Sequence, residues 1–440
     1  MYIKRDIDRA LEEWRDSPSK KPIILRGVRQ CGKTSAVRHL AESFPYYLEL
    51  NFEKQESLCE IFEGDMDIQK IISRLEIESG VRIVVGETLI FMDEIQVCPR
   101  AISALRYFYE ELPSLQIIAA GSLLEFVLGR KKDDRYFEFP VGRVRSLFMY
   151  PLSFLEFLRG SEMHILVEQL LTNPVSEPSD AHDRLIDLYK VFLITGGMPE
   201  VVADYFENKS FLSCQQIHRD IYINMIDDLE KYDELPTDVL RRVFDYCVHN
   251  VCSQTKASSA ITGISAYYFD EAVRLLNNAG LVYPVKASSC DTLPVGASEK
   301  ETNKKLIIFD TGIYLTECGL DTGGILGADT FDDINKGDVV EMQTGLELIK
   351  YADFYAKREL FYWYRSGASA EVDYVIQQGQ SIVPVEVKAS KQGGMQSMHS
   401  YLKTHPDAPY GIRVSLENYS SYDKIRVLPA YAMCRVGELR

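Results

Sequence analysis

The stretch KPIILRGVRQCGKTSAVRHLAESF, residues 21–44, decides the fold of the first third of the chain. It begins with a short apolar run, continues through a turn that contains two glycines, and ends in a segment whose apolar residues recur at helical spacing. The turn follows the pattern G-x-x-x-x-G-K-T from Gly27 to Thr34. A strand, a turn of this kind and a helix, in this order, predict a phosphate-binding loop at the start of an α/β domain.

The residues of this turn are those that phosphate binding requires. Gly27 and Gly32 allow backbone N–H groups to curl around phosphate oxygens. Lys33 is placed to reach the β and γ oxygens of ATP, and the Thr34 hydroxyl is placed to ligate magnesium. A plain glycine-rich turn is the alternative, but the strand–turn–helix context favours the phosphate site.

A second motif indicates hydrolysis. ETLIFMDEIQ, residues 87–96, is an apolar strand that ends in Asp93 and Glu94. Asp93 can hold magnesium through water, and Glu94 can orient or deprotonate the attacking water. An isolated Asp-Glu pair at a strand end is usually a solvated turn. After a phosphate loop, it predicts ATP hydrolysis rather than nucleotide storage.

A third apolar strand follows in SLQIIAAGSL, residues 114–123. In a parallel sheet, its polar end would bring Ser122 beside the phosphates. A serine that caps the next helix is the alternative reading of the same position.

Composition and charge limit the classes of protein to which the chain can belong. Its 440 residues predict roughly two to four domains, and 46% hydrophobic and 26% charged residues are typical of a globular protein. The net charge of −16 argues against a protein that coats nucleic acid, although one local basic cleft would be compatible with it. Nine cysteines without a CxxC pair predict neither a zinc site nor a disulfide framework, and they fit a cytoplasmic location. No apolar run is long enough to span a membrane.

The middle of the chain predicts a winged helix. Residues 235–251 and 265–285 read as two helices followed by a short strand, and KKLIIFD, residues 304–310, supplies a second strand after a polar loop. Helix, helix, strand, hairpin and strand is the order of many such domains. The recognition helix would be DEAVRLLNNAG, residues 270–280, which carries a single arginine and two acids. This composition favours protein contact or packing over DNA recognition.

The last quarter contains EVDYVIQQGQSIVPVEVKAS, residues 371–390, which predicts an antiparallel hairpin. Side chains two apart share a strand face, so Glu371 lies with Asp373, and Glu386 lies with Lys388. If the two polar faces coincide, Asp373 and Glu386 can hold one or two divalent cations, while Lys388 steadies the attacking water or the developing charge. A charged strand pair on a solvated face is the alternative, although the apolar neighbours favour a central strand.

A helical acid would complete such a metal site. GDVVEMQTGLELIKY, residues 337–351, offers Glu341 and Glu347. Both lie about 120° around the predicted helix from its apolar stripe, so helical periodicity does not choose between them.

Together these motifs resemble the AAA+ group of P-loop ATPases, in particular a bacterial and archaeal family with a C-terminal PD-(D/E)xK nuclease-like region. FPVGRVRSLFMYPLSFLEFL, residues 139–158, is similar to that family's signature after the fourth core strand. GGMPEVV, residues 196–202, is similar to its helical-lid signature. EVDYV followed by VPVEVK resembles the PD-(D/E)xK motif. The resemblance covers nearly the whole chain.

The resemblance implies further roles. Ser122 would occupy the sensor position, and Arg143 would act on the γ-phosphate of its own or a neighbouring subunit. A structural pair of Arg143 with Glu138 or Glu156 is the alternative. In the C-terminal region the resemblance favours Glu341 as the third metal ligand.

We therefore predict an α/β chain in four parts: a P-loop AAA+ ATPase core with a parallel sheet (residues 1–172), a helical lid and connection (173–212), a winged-helix-like domain (213–325) and an α/β restriction-endonuclease-like domain (326–440). The expected function is ATP hydrolysis with Mg²⁺, coupled to a nuclease-like domain that acts on or binds nucleic acid. The alternative is an ATP-dependent switch whose nuclease-like domain is inactive and binds a protein or nucleic-acid partner. ATP and Mg²⁺ are the expected ligands. DNA, RNA, a protein and a second copy of the chain are open as partners, and no membrane contact is expected.

Overall fold

The computed structural model describes residues 2–18, 20–121, 139–172, 178–229, 235–320, 322–327, 337–365, 370–388 and 394–439. The chain divides into two compact units, which we describe separately. The first comprises Met1–Pro151 with Asp353–Lys357, and the second comprises Leu152–Ala352 with Arg358–Arg440. Within the described ranges, no helix has the length and apolar character needed to cross a membrane.

The first unit alternates strands and helices around one sheet. Its strands are β1 (Ile23–Arg26), β2 (Tyr46–Asn51), β3 (Thr88–Asp93), β4 (Gln116–Ala120) and β5 (Arg145–Phe148). Its helices are α1 (Asp6–Asp16), α2 (Lys33–Ala41), α3 (Ile68–Ser79) and α4 (Pro99–Glu111), with 3₁₀ helices at Glu56–Phe62 and Ile95–Val97. The strand order is β2-β3-β4-β1-β5, and all neighbouring strands are parallel. The predicted α/β fold with a parallel sheet is confirmed.

The sheet of the first unit places the predicted ATP site at one edge. β3 and β4 are buried along their whole lengths, as expected for central parallel strands covered on both faces. Parallel strands end at the same edge, so the segments that follow β1 and β3 meet there. These segments carry the predicted phosphate loop and the acidic pair.

The second unit begins with helices and continues into a mixed sheet. Its helices are α5 (Phe154–Gly160), α6 (His164–Thr172), α7 (Ser179–Thr195), α8 (Pro199–Asn208), α9 (Phe211–Leu229), α10 (Thr237–His249), α11 (Ala266–Asn278), α12 (Thr311–Glu317), α13 (Thr322–Gly327), α14 (Gly337–Lys350) and α15 (Gln396–Thr404). Its strands are β6 (Val282–Ser288), β7 (Glu299–Ile308), β8 (Leu360–Tyr364), β9 (Glu371–Gln378), β10 (Ser381–Val387), β11 (Gly411–Ser415), β12 (Ser420–Tyr422) and β13 (Ile425–Pro429). Short 3₁₀ helices lie at Val295–Ser298 and Ala430–Glu438.

The sheet of the second unit has the order β12-β13-β11-β10-β9-β8-β6-β7. β8, β9 and β10 are successive antiparallel neighbours, and β11 pairs with β10 in parallel after the crossover through α15. The segment from α14 to β11 therefore has the order α-β-β-β-α-β. The β6–β7 hairpin, which follows α10 and α11, joins the same sheet because β6 pairs in parallel with β8.

The GGMPEVV stretch packs against the segment that follows β7. Gly196 has a φ of 64°, and a Cβ at this position would lie 2.1 Å from Asp310 Oδ1. The Gly197 N–H donates to Asp310 Oδ2 at 2.7 Å, and the Leu152 N–H donates to the Gly197 carbonyl, also at 2.7 Å. Side chains at these two positions would separate the segments, so the glycines have a packing role within the second unit.

Candidate functional site

The predicted phosphate loop connects β1 to α2 at the carboxyl edge of the parallel sheet. Gly27 has a φ of 151° and Gly32 a φ of 99°. A Cβ at position 27 would lie 2.1 Å from the Met149 carbonyl oxygen, so only glycine fits this close approach. Gly32 immediately precedes α2, whose first N–H groups have no partner within the helix and are available to an anion.

The Lys33 side chain lies within this loop. It is buried, and its Nζ donates hydrogen bonds of 2.9 Å to the carbonyls of Gly27 and Val28. Phosphate oxygens are stronger acceptors for an ammonium group than neutral carbonyls are. The lysine is therefore held where a phosphate could take over its contacts.

Two further side chains, Arg5 from outside the loop and Cys31 within it, brace the phosphate loop. Arg5, just before α1, donates to the Cys31 carbonyl at 2.9 Å and to the Tyr150 carbonyl at 2.6 Å. The Cys31 thiol is buried and faces the Met149 carbonyl at 3.7 Å. Sequence reasoning missed Arg5, because a single arginine in an N-terminal segment has no pattern that indicates contact with a distant loop.

Thr34 and Asp93 lie side by side at the carboxyl edge. The Thr34 hydroxyl donates to Asp93 Oδ2 at 3.1 Å, and Asn51 Nδ2 donates to the same oxygen at 3.3 Å. Burial and the neighbouring Glu94 raise the pKa of the Asp93 carboxyl. Hydroxyl and carboxylate oxygens suit Mg²⁺, so these residues fit a magnesium ion. Asn51 was missed; it is aligned with Asp93 in the neighbouring strand, which sequence alone does not reveal.

Glu94 follows Asp93 in a left-handed backbone conformation, with a φ of 51°. Its carboxylate accepts a 2.6 Å hydrogen bond from Gln96 Nε2. The Gln96 side chain packs directly against Gly121, because a Cβ at position 121 would lie only 2.1 Å from Gln96 Oε1. Gln96 therefore orients the predicted water-activating carboxylate, a role that the sequence analysis did not identify.

Two predicted ATP-site residues remain, Ser122 and Arg143. Ser122 lies outside the described residues. Arg143 forms an exposed 2.8 Å ion pair with Glu110, which was not among its predicted partners. Arg145 is aligned with Ile23, so Arg143 precedes β5 at the amino edge of the sheet. The phosphate loop follows β1 at the opposite edge, about 13 Å away along four residues of strand. Arg143 is thus remote from the phosphate loop of its own chain.

In the second unit, three carboxylates converge on one buried lysine. Lys305 Nζ lies 2.8 Å from Glu341 Oε1 and 3.5 Å from Asp373 Oδ1, and it also pairs with Glu371. Lys305 belongs to β7 and is 2% exposed. We call Glu341, Glu371, Asp373 and the neighbouring Glu386 the acidic pocket. Lys305 was missed because a lysine beside the apolar run of β7 reads as a strand-edge residue.

The charges in the acidic pocket are strongly coupled. Burial and the adjacent Asp373 raise the pKa of Glu341 to about 8, against the opposite effect of Lys305. Burial alone would lower the pKa of Lys305, but Glu341, Asp373 and Glu371 together raise it well above its usual value. The surrounding acids therefore keep Lys305 a cation at neutral pH.

Glu386 and Lys388 form a second ion pair, with 2.8 Å between Lys388 Nζ and Glu386 Oε1. The β9–β10 register, continued by one pair, places Glu386 opposite Asp373. Asp373 Oδ2 accepts a 2.8 Å hydrogen bond from the Val387 N–H. Glu386 is 2% exposed, burial raises the pKa of its carboxyl, and its Oε2 has no hydrogen-bond partner among the described residues.

Glu347, the other helical acid, lies elsewhere on α14. Its carboxylate accepts hydrogen bonds from the Phe154 N–H at 3.3 Å and from Gln343 Nε2 at 2.6 Å. Lys350 lies 3.6 Å away, and burial raises the pKa of Glu347. The fold therefore brings Glu341 to Asp373 and brings Glu347 to the start of α5.

The predicted metal ligands of the acidic pocket do not fit a metal ion as they are arranged. Across the described part of the chain, no group of three or more His, Cys, Asp or Glu side chains is disposed to hold one. Glu341 Oε1 and Asp373 Oδ1 are both turned towards Lys305. The residue types of a metal site are present, but an ammonium group lies among them.

Comparison with known proteins bears most directly on the first unit. Residues 19–158 match a family model described as an AAA domain. This match supports the P-loop ATPase assignment and implies ATP binding. Residues 186–323 and 336–433 match models for domains of unknown function, DUF8612 and DUF4143. The nuclease-like assignment of the C-terminal region thus stays a prediction.

Similarity to solved structures is distant. A Walker-type ATPase of Pyrococcus abyssi is 14% identical, with a TM-score of 0.46 over 72% of this chain and 95% of that chain. RuvB of Thermotoga maritima is 15% identical, with a TM-score of 0.30 over 64% and 87% of the two chains. A signal-transduction ATPase with a tetratricopeptide repeat sensor from Pyrococcus horikoshii is 13% identical, with a TM-score of 0.28 over 80% and 47%. No curated protein matches the chain.

Proposed function

We propose that the first unit binds ATP with magnesium and hydrolyses it. The contact between Thr34 and Asp93, beside a glycine loop that encloses Lys33, is the observation that carries this proposal. Such a loop supplies N–H groups and one ammonium to the phosphates. The match of residues 19–158 to the AAA domain agrees with it.

Each residue has a defined task in this proposal. Lys33 exchanges its two carbonyl partners for β- and γ-phosphate oxygens, and the N–H groups after Gly32 bind the same phosphates. Thr34 and Asp93 would hold a magnesium ion, which would neutralise phosphate charge. Glu94, held by Gln96, orients the attacking water and accepts its proton.

Phosphate release from ATP tests this assignment. Lys33→Ala should abolish hydrolysis, because the ammonium that contacts the phosphates is removed. Lys70→Ala is the matched control, since the Lys70 side chain on α3 is 76% exposed. Hydrolysis at the wild-type rate by Lys33→Ala would show that the phosphate loop is wrongly assigned.

We further propose that the C-terminal part of the second unit is nuclease-like, and that ATP turnover is coupled to it through the winged-helix-like region. The α-β-β-β-α-β order from α14 to β11 and the facing positions of Asp373 and Glu386 support this proposal. The β6–β7 hairpin supports the coupling, because it shares a sheet with β8, β9 and β10.

A specific observation favours a second candidate, in which the nuclease-like domain does not cleave in its resting state and binds a protein or nucleic-acid partner. Cleavage at Asp373 and Glu386 would require a divalent cation, and Lys305 occupies oxygens that such an ion would need. This is the switch alternative, in which ATP alters binding by a nuclease-shaped domain. Coupling then requires ATP to have different affinities for two arrangements of the chain.

A mixed panel of single-stranded, duplex and branched DNA and RNA separates the two candidates. Binding and cleavage are measured with Mg²⁺ or Mn²⁺, with and without ATP, for wild type, Lys33→Ala and Asp373→Ala. The expected result is binding without cleavage by wild-type protein that hydrolyses ATP. Cleavage that disappears in Asp373→Ala would establish an active nuclease instead, and absence of nucleic-acid binding would point to a protein partner.

A further inference from the structure

We propose that Lys305 is the resident cation of the acidic pocket and excludes divalent metal ions from it. This rests on the proposed nuclease-like role of the pocket and explains why a domain with those residues would bind without cutting. The lysine comes from β7, whereas the carboxylates come from α14, β9 and β10. The winged-helix-like hairpin thus delivers the charge that closes the site.

The ammonium group and a metal ion would compete for the same oxygens. Lys305 Nζ is 2.8 Å from Glu341 Oε1 and 3.5 Å from Asp373 Oδ1. Hard divalent cations bind carboxylate oxygens at about 2.0–2.6 Å. An ion held by Glu341 Oε1 and Asp373 Oδ1 would share both ligands with the lysine and would be repelled by its charge, and Asp373 Oδ2 is already occupied by the Val387 N–H. The two cations therefore compete for one place.

Lys305 is not a mobile surface side chain. Its backbone is paired with Val285 of β6, and β6 is fixed in turn by its pairing with β8. Its Nζ lies 5.3 Å from the centre of the Tyr362 ring, which is fully buried. An aromatic face attracts a cation at this distance. The Lys305 ammonium is therefore held by the Tyr362 ring of β8 as well as by the acidic side chains.

A separate observation indicates that the pocket could accept a metal ion if the lysine charge were removed. Glu386 Oε2 is buried and has no hydrogen-bond partner among the described residues. A buried carboxylate oxygen without a donor is costly, and a divalent cation would provide the missing partner. Loss of the Lys305 charge should thus convert the pocket into a site for Mg²⁺ or Mn²⁺.

Manganese binding to nucleotide-free protein, followed by the electron paramagnetic resonance of free Mn²⁺, tests the proposal. Lys305→Gln removes the charge but keeps a hydrogen-bond donor, on a side chain that is one bond shorter. This variant should bind one more Mn²⁺ per chain than wild type, and the double variant Lys305→Gln/Asp373→Asn should lose that ion. Lys305→Arg keeps the charge and should behave as wild type.

Thermal unfolding provides a second readout. Lys305→Gln leaves buried carboxylates without their cation, so it should unfold at a lower temperature than wild type, and Mn²⁺ should raise its Tm more than that of wild type. Asp373-dependent Mn²⁺ binding by wild type would overturn the proposal, as would a folded Lys305→Gln that gains no ion. If Lys305→Gln does not fold, Mn²⁺ binding is compared between wild type and Asp373→Asn. Equal binding by these two proteins upholds the exclusion of metal ions from the acidic pocket. Weaker binding by Asp373→Asn refutes it.

A cleavage assay on the same proteins distinguishes this proposal from the nuclease-like role. Lys305→Gln that gains Mn²⁺ but cuts neither DNA nor RNA would uphold the lysine as a barrier and refute a latent nuclease. Gain of both Mn²⁺ and cleavage would support both.

Discussion

The Thr34 hydroxyl donates a 3.1 Å hydrogen bond to Asp93 Oδ2 and so joins the phosphate loop to the end of β3. Asn51 donates to the same carboxylate oxygen from the end of β2. Two adjacent strands and the loop thus converge on one carboxylate whose pKa is raised mainly by burial. A bound cation would favour the ionised form of that carboxyl, so ATP with magnesium should bind more tightly than ATP alone.

The Thr34 hydroxyl should be essential for hydrolysis. Thr34→Val keeps the shape of the side chain but removes the oxygen that would bind magnesium, whereas Thr34→Ser keeps that oxygen. We expect kcat to fall by about 10²–10³ in the valine variant, the usual cost of losing one group that stabilises transition-state charge. The serine variant should retain most activity. Equal rates for the two variants would remove Thr34 from the metal site.

Gly27 should be irreplaceable for a steric reason. Its Cβ would lie 2.1 Å from the Met149 carbonyl, whereas a Cβ at Gly86 would meet nothing within 4 Å. Both glycines have positive φ, so Gly27→Ala and Gly86→Ala share the backbone strain of about 1–3 kcal/mol. We expect a larger fall in Tm and a loss of ATP binding in Gly27→Ala only. Matching Tm values and ATP affinities would show that the loop can move away from Met149.

Gln96 should act as a positioning residue for Glu94. Its Nε2 is 2.6 Å from the Glu94 carboxylate. Gln96→Ala should lower kcat by about 10- to 100-fold, as loss of an outer partner of a catalytic group commonly does, while the KM for ATP changes little. Gln96→Glu would place a like charge beside Glu94 and should lower kcat more than Gln96→Ala does. A rise in KM at unchanged kcat would instead assign Gln96 to ATP binding.

The predictable part of the ATP site is the part that is contiguous in sequence. Gly27, Gly32, Lys33 and Thr34 lie in one loop, and their spacing alone indicates their task. Arg5 and Asn51 reach the same site from other elements, through contacts that depend on strand order and on the packing of α1. Neither strand order nor the packing of α1 is encoded in a local sequence pattern, so neither residue was identified.

The acidic pocket shows the same limit more strongly. Strand alternation predicted that Asp373 and Glu386 could face each other, and their register places them opposite each other. Lys305 enters from β7 because the β6–β7 hairpin extends the sheet beyond β8. The sequence predicts a hairpin there but not its long-range pairing, and that pairing changes the chemistry expected of the acids.

Arg143 should act, if it acts on ATP, at the site of a neighbouring chain. It lies at the amino edge of its own sheet, whereas the phosphate loop lies at the carboxyl edge. Mixing Lys33→Ala protein with Arg143→Ala protein should restore hydrolysis, because a wild-type loop in one chain can then meet a wild-type arginine in the next. Each variant alone should be inactive. Absence of recovery in the mixture, or full activity of Arg143→Ala alone, would leave the exposed pair with Glu110 as the arginine's role.

His218 should make the second unit less stable in acid. Its Nε2 donates to the Thr195 carbonyl at 3.0 Å, and its Nδ1 faces the Thr316 hydroxyl at 3.1 Å. Burial lowers the pKa of His218 below its ordinary value, although Asp310 opposes the effect. The folded state therefore keeps the ring neutral at a pH where the unfolded chain, with a histidine pKa of about 6.5, already binds a proton.

The sign of the pH effect follows from this difference. Above pH of about 6.5 both states hold a neutral ring, and His218 adds no pH dependence. As the pH falls below that value, the unfolded state takes up the proton first, and the free energy of unfolding decreases by at most about 1.4 kcal/mol per pH unit. Urea unfolding at pH 7.5 and pH 5.5 should show a larger loss for wild type than for His218→Gln, which keeps a donor for the Thr195 carbonyl but does not titrate. Other buried acids contribute equally to both proteins, so an identical loss in the two would mean that His218 is protonated as easily in the folded unit as in the unfolded chain.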